Sequence, residues 1–213
     1  MTPLRRPRGT RIGPRALDTA MGRVPTIIAM AAAERMTADE YLVMGEERHG
    51  MELIAGEVHV EQASLTHQRA VSAILRALWK WIDAGEGRGE AILAIDVKLD
   101  DRNVFGPDLL WYSAGHVPAE DRPRPHPVPD VAIEVRSPST WRYDLGHKKA
   151  LYEAHGLPEL WLVDIESDTV LVFRRSRTDV QTFDTALELS RGERLTSPLL
   201  PGFALALDQL FGG

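Results

Sequence analysis

The stretch PDVAIEVRSPSTWRYDLGHKKALYEAHGLPELWLVD, Pro129 to Asp164, constrains the fold more than any other part of the chain. Val131-Ala132-Ile133 is an apolar run with two β-branched residues, the pattern of a buried strand. Ser137-Pro138-Ser139-Thr140 breaks it. A helix follows from about Asp144 to His155, with Gly156 placed to end it. Leu160-Trp161-Leu162-Val163 is the next buried strand. This strand–helix–strand unit carries an acid, Glu134, at the end of its first strand. A carboxylate in an apolar strand is costly unless it is paired or holds a cation. Lys148, on the helix, is a candidate neighbour. Metal-assisted cleavage of a phosphodiester needs such an arrangement.

The chain around this unit supplies the rest of a sheet. Thr37-Ala38-Asp39-Glu40 fits a capping box, opening a short helix that ends before Gly45. Met51–Ile54 and Glu57–Val60 alternate about Ala55-Gly56 and read as a hairpin. Residues 66–83 carry apolar side chains at three-and-four spacing, a long helix that Thr66 can cap. Ala91 to Leu99 reads as one strand and Leu109–Tyr112 as another. Residues 115–129 hold five prolines and form an extended loop. Thr169–Arg174 is a hairpin partner for the Leu160–Val163 strand. Further strands are expected near Val180–Phe183 and Ala186–Ser190, and a short helix over Leu205–Phe211. Strands and helices interleave, so the expected class is α/β (α+β): one domain around a mixed sheet.

The 213 residues contain no cysteine, which excludes disulfides, thiolate metal sites and Cys nucleophiles and fits a reducing cytoplasm. No apolar run approaches the roughly 20 residues of a membrane span. Charge is uneven. Of 25 basic and 31 acidic residues, six arginines and one acid lie in residues 1–24, leaving 19 against 30 in the remainder. Residues 1–30 are expected to be a disordered Arg-rich arm, with the folded domain over 31–213. The arm reads as a DNA-contacting segment, a transit peptide or a product of start-codon choice. The acidic body does not advertise nucleic-acid binding, so Arg69, Arg76, Lys80 and other cations would have to gather around one cleft.

Asp108, Glu134 and Lys148 are the groups most suited to chemistry. Magnesium takes one or two carboxylates and completes its shell with water and phosphate oxygens. Two acids at the ends of neighbouring strands supply that half-shell, and a lysine beside them can orient water or offset phosphate charge. Asp144 lies four residues before Lys148 and can hold it in place; Tyr152 is four further on. Each has a structural alternative. Asp108 suits a turn, Lys148 can be a solvated partner of Asp144, and Glu134 can pair with Arg136 or Lys98.

The order of these residues resembles a known family. ELIAGE at 52–57, His67 opening a helix, Pro107-Asp108, PDVAIEVRSPST at 129–140, and the spaced Asp144, Lys148, Tyr152, Gly156, Glu159, Trp161 and Asp164 are similar to the Uma-two family of restriction-endonuclease-like proteins. The match runs from about Met36 to Phe173. That family belongs to the PD-(D/E)XK nuclease superfamily, whose core is a restriction-endonuclease-like mixed β-sheet flanked by helices. The resemblance implies a Mg²⁺-dependent endonuclease acting on DNA, with Mn²⁺ as a substitute ion. Asp108 and Glu134 are then the metal ligands and Lys148 the catalytic lysine. The superfamily's usual lysine position is Arg136 here, which cannot act as a base. The resemblance suggests that the lysine has moved to the next helix. Glu57 is a candidate third acid; Glu52 and His67 match family positions without an assigned role. A homodimer would pair two clefts. The competing readings are a nuclease fold that binds nucleic acid without cutting it, and a protein-interaction domain.

Overall fold

The computed structural model describes residues 35–44, 50–60 and 63–212; the arginine-rich arm lies outside them. Helix α1 (Ala38–Leu42) starts at the capping box: Thr37 accepts from the Glu40 amide, and Glu40 reaches back to the Thr37 amide at 2.7 Å. Strands β1 (Met51–Ile54) and β2 (Glu57–Val60) form the hairpin. Its two turn residues, Ala55 and Gly56, have φ of 52° and 78°, the sign that matches the twist of a tight hairpin. A side chain at Gly56 would also meet the Arg35 Cβ at 2.6 Å.

Helix α2 (Leu65–Asp83) buries Ala70, Val71, Ile74, Leu75, Leu78 and Trp81 along one stripe. Its cap is Ser64, two residues before Thr66, because the Ser64 hydroxyl accepts from the His67 amide. The segment read as one strand from Ala91 to Leu99 is two. β3 (Glu90–Leu93) and β4 (Val97–Asp100) belong to different sheets, and the chain crosses between them at residues 94–96. β5 (Asn103–Phe105) follows, then β6 (Leu109–Tyr112) and β7 (Val131–Val135). α3 (Trp141–Tyr143) runs into a π-helical turn (Asp144–Lys148) and on into α4 (Lys149–Ala154). β8 (Glu159–Asp164) and β9 (Thr169–Arg174) come next. β10 spans Thr185–Ser190 and satisfies β9 along its length. The strand expected over Val180–Phe183 does not form: the Phe183 amide is taken by the Glu153 carboxylate at 2.6 Å. β11 (Arg194–Leu195) pairs β12 (Leu205–Ala206), and α5 (Leu207–Phe211) follows.

The strands form a six-stranded sheet in the order β10-β9-β8-β7-β6-β3 and a four-stranded sheet in the order β2-β1-β5-β4. β7 and β8 are parallel, joined by the α3–α4 crossover; their neighbours are antiparallel, so the large sheet is mixed. Alternation sorts β7 between two cores. Val131, Ile133 and Val135 face α2 and α5. Ala132 faces a second core holding Ile54, Val97, Phe105, Tyr152 and Leu162. Glu134 is on the same side of the strand as Ala132, so it projects toward α4 and the small sheet. Among the described residues, no helix is long and apolar enough to cross a membrane.

Candidate active site

The register of the sheet brings two carboxylates side by side. Leu109 pairs with Ile133, and one more residue along places Asp108 opposite Glu134. Opposite residues on neighbouring strands share a face, with Cβ atoms about 4.5–5.5 Å apart. Asp108 is fixed there because its Oδ2 accepts the Val135 amide at 2.7 Å. His67, in the first turn of α2, places Nε2 3.2 Å from the same oxygen.

Glu52 reaches the site from the small sheet. On β1, Leu53 packs with Ala38, Tyr41 and Val104, whereas Ile54 packs in the second core. Glu52 alternates with Leu53 and so turns inward with Ile54. Its Oε1 accepts the Gly106 amide at 2.8 Å.

Lys148 lies where these elements converge. Its Nζ is 2.9 and 3.0 Å from the two Glu52 oxygens, 2.8 Å from Glu134 Oε1 and 3.1 Å from Asp144 Oδ1. The side chain is 2 % exposed, so water contributes little to its solvation. The Asp144–Lys148 spacing falls on the π turn, a local widening of the helix that is common at functional sites. Thr140 donates to the other Asp144 oxygen at 3.2 Å and itself sits 2.9 Å from the Ser137 hydroxyl. The Ser-Pro-Ser-Thr segment therefore supports the aspartate that supports the lysine. Tyr152, one turn beyond, donates its hydroxyl to Glu134 Oε1 at 2.9 Å.

Three carboxylates therefore surround one ammonium, and a fourth, Asp108, lies beside Glu134. Burial pushes the Glu134 carboxyl well above the ordinary glutamate range; Lys148 opposes this, and Asp144, Glu52 and Asp108 reinforce it. Burial also raises Asp144 to about 6, against the pull of Lys148. For Lys148, burial works against the charge, but Asp144, Glu134 and Glu52 outweigh it and hold the ammonium well above the usual lysine value. Burial and the adjacent Glu134 raise the Tyr152 phenol. With every acid ionised the cluster carries three excess negative charges, an arrangement that favours uptake of protons or of a cation.

Among the described residues, no three His, Asp or Glu side chains converge as a closed metal cage. Asp108 and Glu134 amount to a two-carboxylate half-shell, the donor set with which Mg²⁺ is commonly held when waters and phosphate oxygens complete it. The excess negative charge fits a divalent cation there.

The remaining sequence candidates lie elsewhere. Glu57 is 60 % exposed on the edge strand β2, near Arg35 at 3.9 Å and outside the buried network. Glu52, which had no role in the sequence reading, is the acid that β1 delivers. Its signal was the β1 alternation, which puts residue 52 in phase with inward Ile54. Arg136, at the superfamily's lysine position, clamps Asp164 at 2.8 Å and Glu166 at 2.7 Å. Lys98 is held by Asp39 and Asp101. Neither reaches Glu134.

A mixed sheet with an aspartate at the start of its internal strand β6, beside the glutamate of β7, and a buried lysine against that glutamate has the layout of a restriction-endonuclease-like fold. The chain belongs to the Uma2 family, described as "Putative restriction endonuclease", whose model matches residues 38–208. A solved structure, a "putative nuclease belonging to DUF820 from Anabaena variabilis ATCC 29413", has the same fold. It superposes with a TM-score of 0.69 at 20 % identity, covering 83 % of this chain and 98 % of that one. No curated protein matches the chain.

Proposed function

We propose that the protein is a metal-dependent endonuclease that hydrolyses DNA phosphodiester bonds in the cytoplasm. The observation that carries this reading is the position of Lys148, enclosed by Glu134, Glu52 and Asp144 beside the cross-strand pair Asp108 and Glu134. Asp108 and Glu134 would hold Mg²⁺ or Mn²⁺. The ion, when bound, polarises the phosphoryl group and lowers the pKa of a coordinated water.

The chain's own residues set the conditions for that step. The Val135 amide fixes the Asp108 carboxylate. Tyr152 and Lys148 both bond Glu134 Oε1, which directs the other oxygen away from them. Glu52 and Asp144 keep Lys148 charged, so its positive field is present at the carboxylates as charge builds on phosphate. Arg136 is committed to Asp164 and Glu166 and takes no part.

Purified protein is expected to cut plasmid DNA with Mg²⁺ or Mn²⁺, and EDTA to stop it. Persistent cleavage in EDTA, or none with either ion while the chain is folded, would count against the assignment.

A further inference from the structure

Several cations among the described residues sit against carboxylates. Lys98, Arg124, Arg136, Arg174, Arg177 and Arg191 all do so. Arg69, Arg76, Lys80 and Arg88 have no carboxylate partner among the described residues, and they lie together. With 3.6 residues per turn, Arg69, Arg76 and Lys80 fall within about 40° of one another on the exposed side of α2. Two hollows of ≈ 480 and ≈ 410 Å³ open between α2 and the C-terminal segment. They share Ala73, Arg76 and Gln209 and so form one groove. Arg76, Lys80 and Arg88 line one part, Arg69 and Arg76 the other, and no Asp or Glu lines either. Ala73 and Ala77 keep its wall low. Arg88 is held in place: it donates to the Trp81 carbonyl, and its guanidinium lies 4.9 Å from the centre of the Trp81 ring.

We propose that this groove is a binding surface for the sugar-phosphate backbone of duplex DNA. Outside the first 24 residues the chain has 19 basic against 30 acidic residues, so an unpaired basic row free of acids is where a polyanion can approach. At about 1.5 Å rise per residue, Arg69 to Lys80 spans about 16 Å. Phosphates of one strand advance by about 3.4 Å, so the row covers about five of them. Flexible side chains on one helix face read charge and carry no base-edge specificity. The row begins two residues after His67, whose ring contacts Asp108, so α2 links the groove to the carboxylate cluster. The choice of DNA rests on the proposed function; binding itself is separable from cleavage.

The test uses the full chain, EDTA and a fluorescent duplex of about 20 base pairs. Anisotropy is followed over a range of salt. The triple variant R69Q/R76Q/K80Q keeps good helix formers at exposed positions, and circular dichroism checks its fold. Losing three phosphate contacts is expected to weaken binding and to lower the slope of log affinity against log salt by about 2.7. Wild-type-like affinity and slope in the variant would overturn the proposal. So would a wild type that fails to bind at low salt, or polyglutamate competing as well as unlabelled duplex at equal charge. Cleavage in Mg²⁺ is scored separately. Binding in EDTA without cleavage keeps the groove and removes the reaction. Cleavage with unchanged binding by the variant removes the groove and keeps the reaction.

Discussion

Lys148→Met is expected to destabilise the fold by about 3–5 kcal/mol at pH 8, the usual cost of removing one partner from a buried ionic cluster. Methionine fills much of the same volume, so the loss reports charge more than packing. Glu52, Glu134 and Asp144 would be left facing each other with no ammonium between them. Urea unfolding measures the effect, and a loss below about 1 kcal/mol would mean that the pairs contribute little. The deficit has a predicted pH dependence. Asp144 has a folded-state pKa of about 6, above the ordinary aspartate value of 3.8. The folded state therefore holds more protons between those values, and the group's contribution is most favourable below about 4 and is lost as pH rises through 6. Glu134 shifts in the same direction. Lowering the pH from 8 to 5 should accordingly shrink the Lys148→Met deficit. Combining it with Glu134→Gln should recover part of the loss, because one uncompensated charge has gone.

Glu134→Gln alone is expected to do the opposite to stability and to activity. The amide oxygen can still accept from Tyr152 and Lys148, so both bonds survive. The variant removes a carboxylate that burial and three other acids make costly to ionise, so thermal unfolding at pH 8 should move to higher temperature. Cleavage should fall on the order of 100-fold or more, because a neutral amide is a poor ligand for a hard divalent ion. A residue kept only for structure would give the reverse result: lower stability with cleavage intact. Strained or uncompensated charge at a working site commonly trades stability for function in this way.

Much of this core was legible from residues alone. Val131–Ile133 and Leu160–Val163 are apolar on both sides, which is how a strand buried on both faces reads. The four-residue spacing of Asp144 and Lys148 also survived, although it falls on a π turn that no periodicity discloses. That Asp108 and Glu134 end neighbouring strands was expected from the sequence; their register was not legible, because it is set between β6 and β7 across an 18-residue connection. The division of residues 91–99 between two sheets was hidden for a related reason: Ala94-Ile95-Asp96 contains neither Gly nor Pro to mark the crossing. β5 is three residues beside a charged turn, too short for alternation to register. Glu52 and Glu57 both lie on the hairpin. Only contact with the second sheet buries the first and leaves the second in solvent.

If Asp108 and Glu134 form a metal half-site beside a charged, buried lysine, removing one of the two carboxylates must lower metal affinity. The most direct test is calorimetric titration of Mn²⁺ into the wild type and Glu134→Gln at pH 8, where the acids are most ionised. One ion is expected to bind per wild-type chain, with at least a 10-fold weaker interaction in the variant, about the smallest effect of losing a ligand. Equal binding by both proteins, or none by the folded wild type, would mean that the two carboxylates hold no metal.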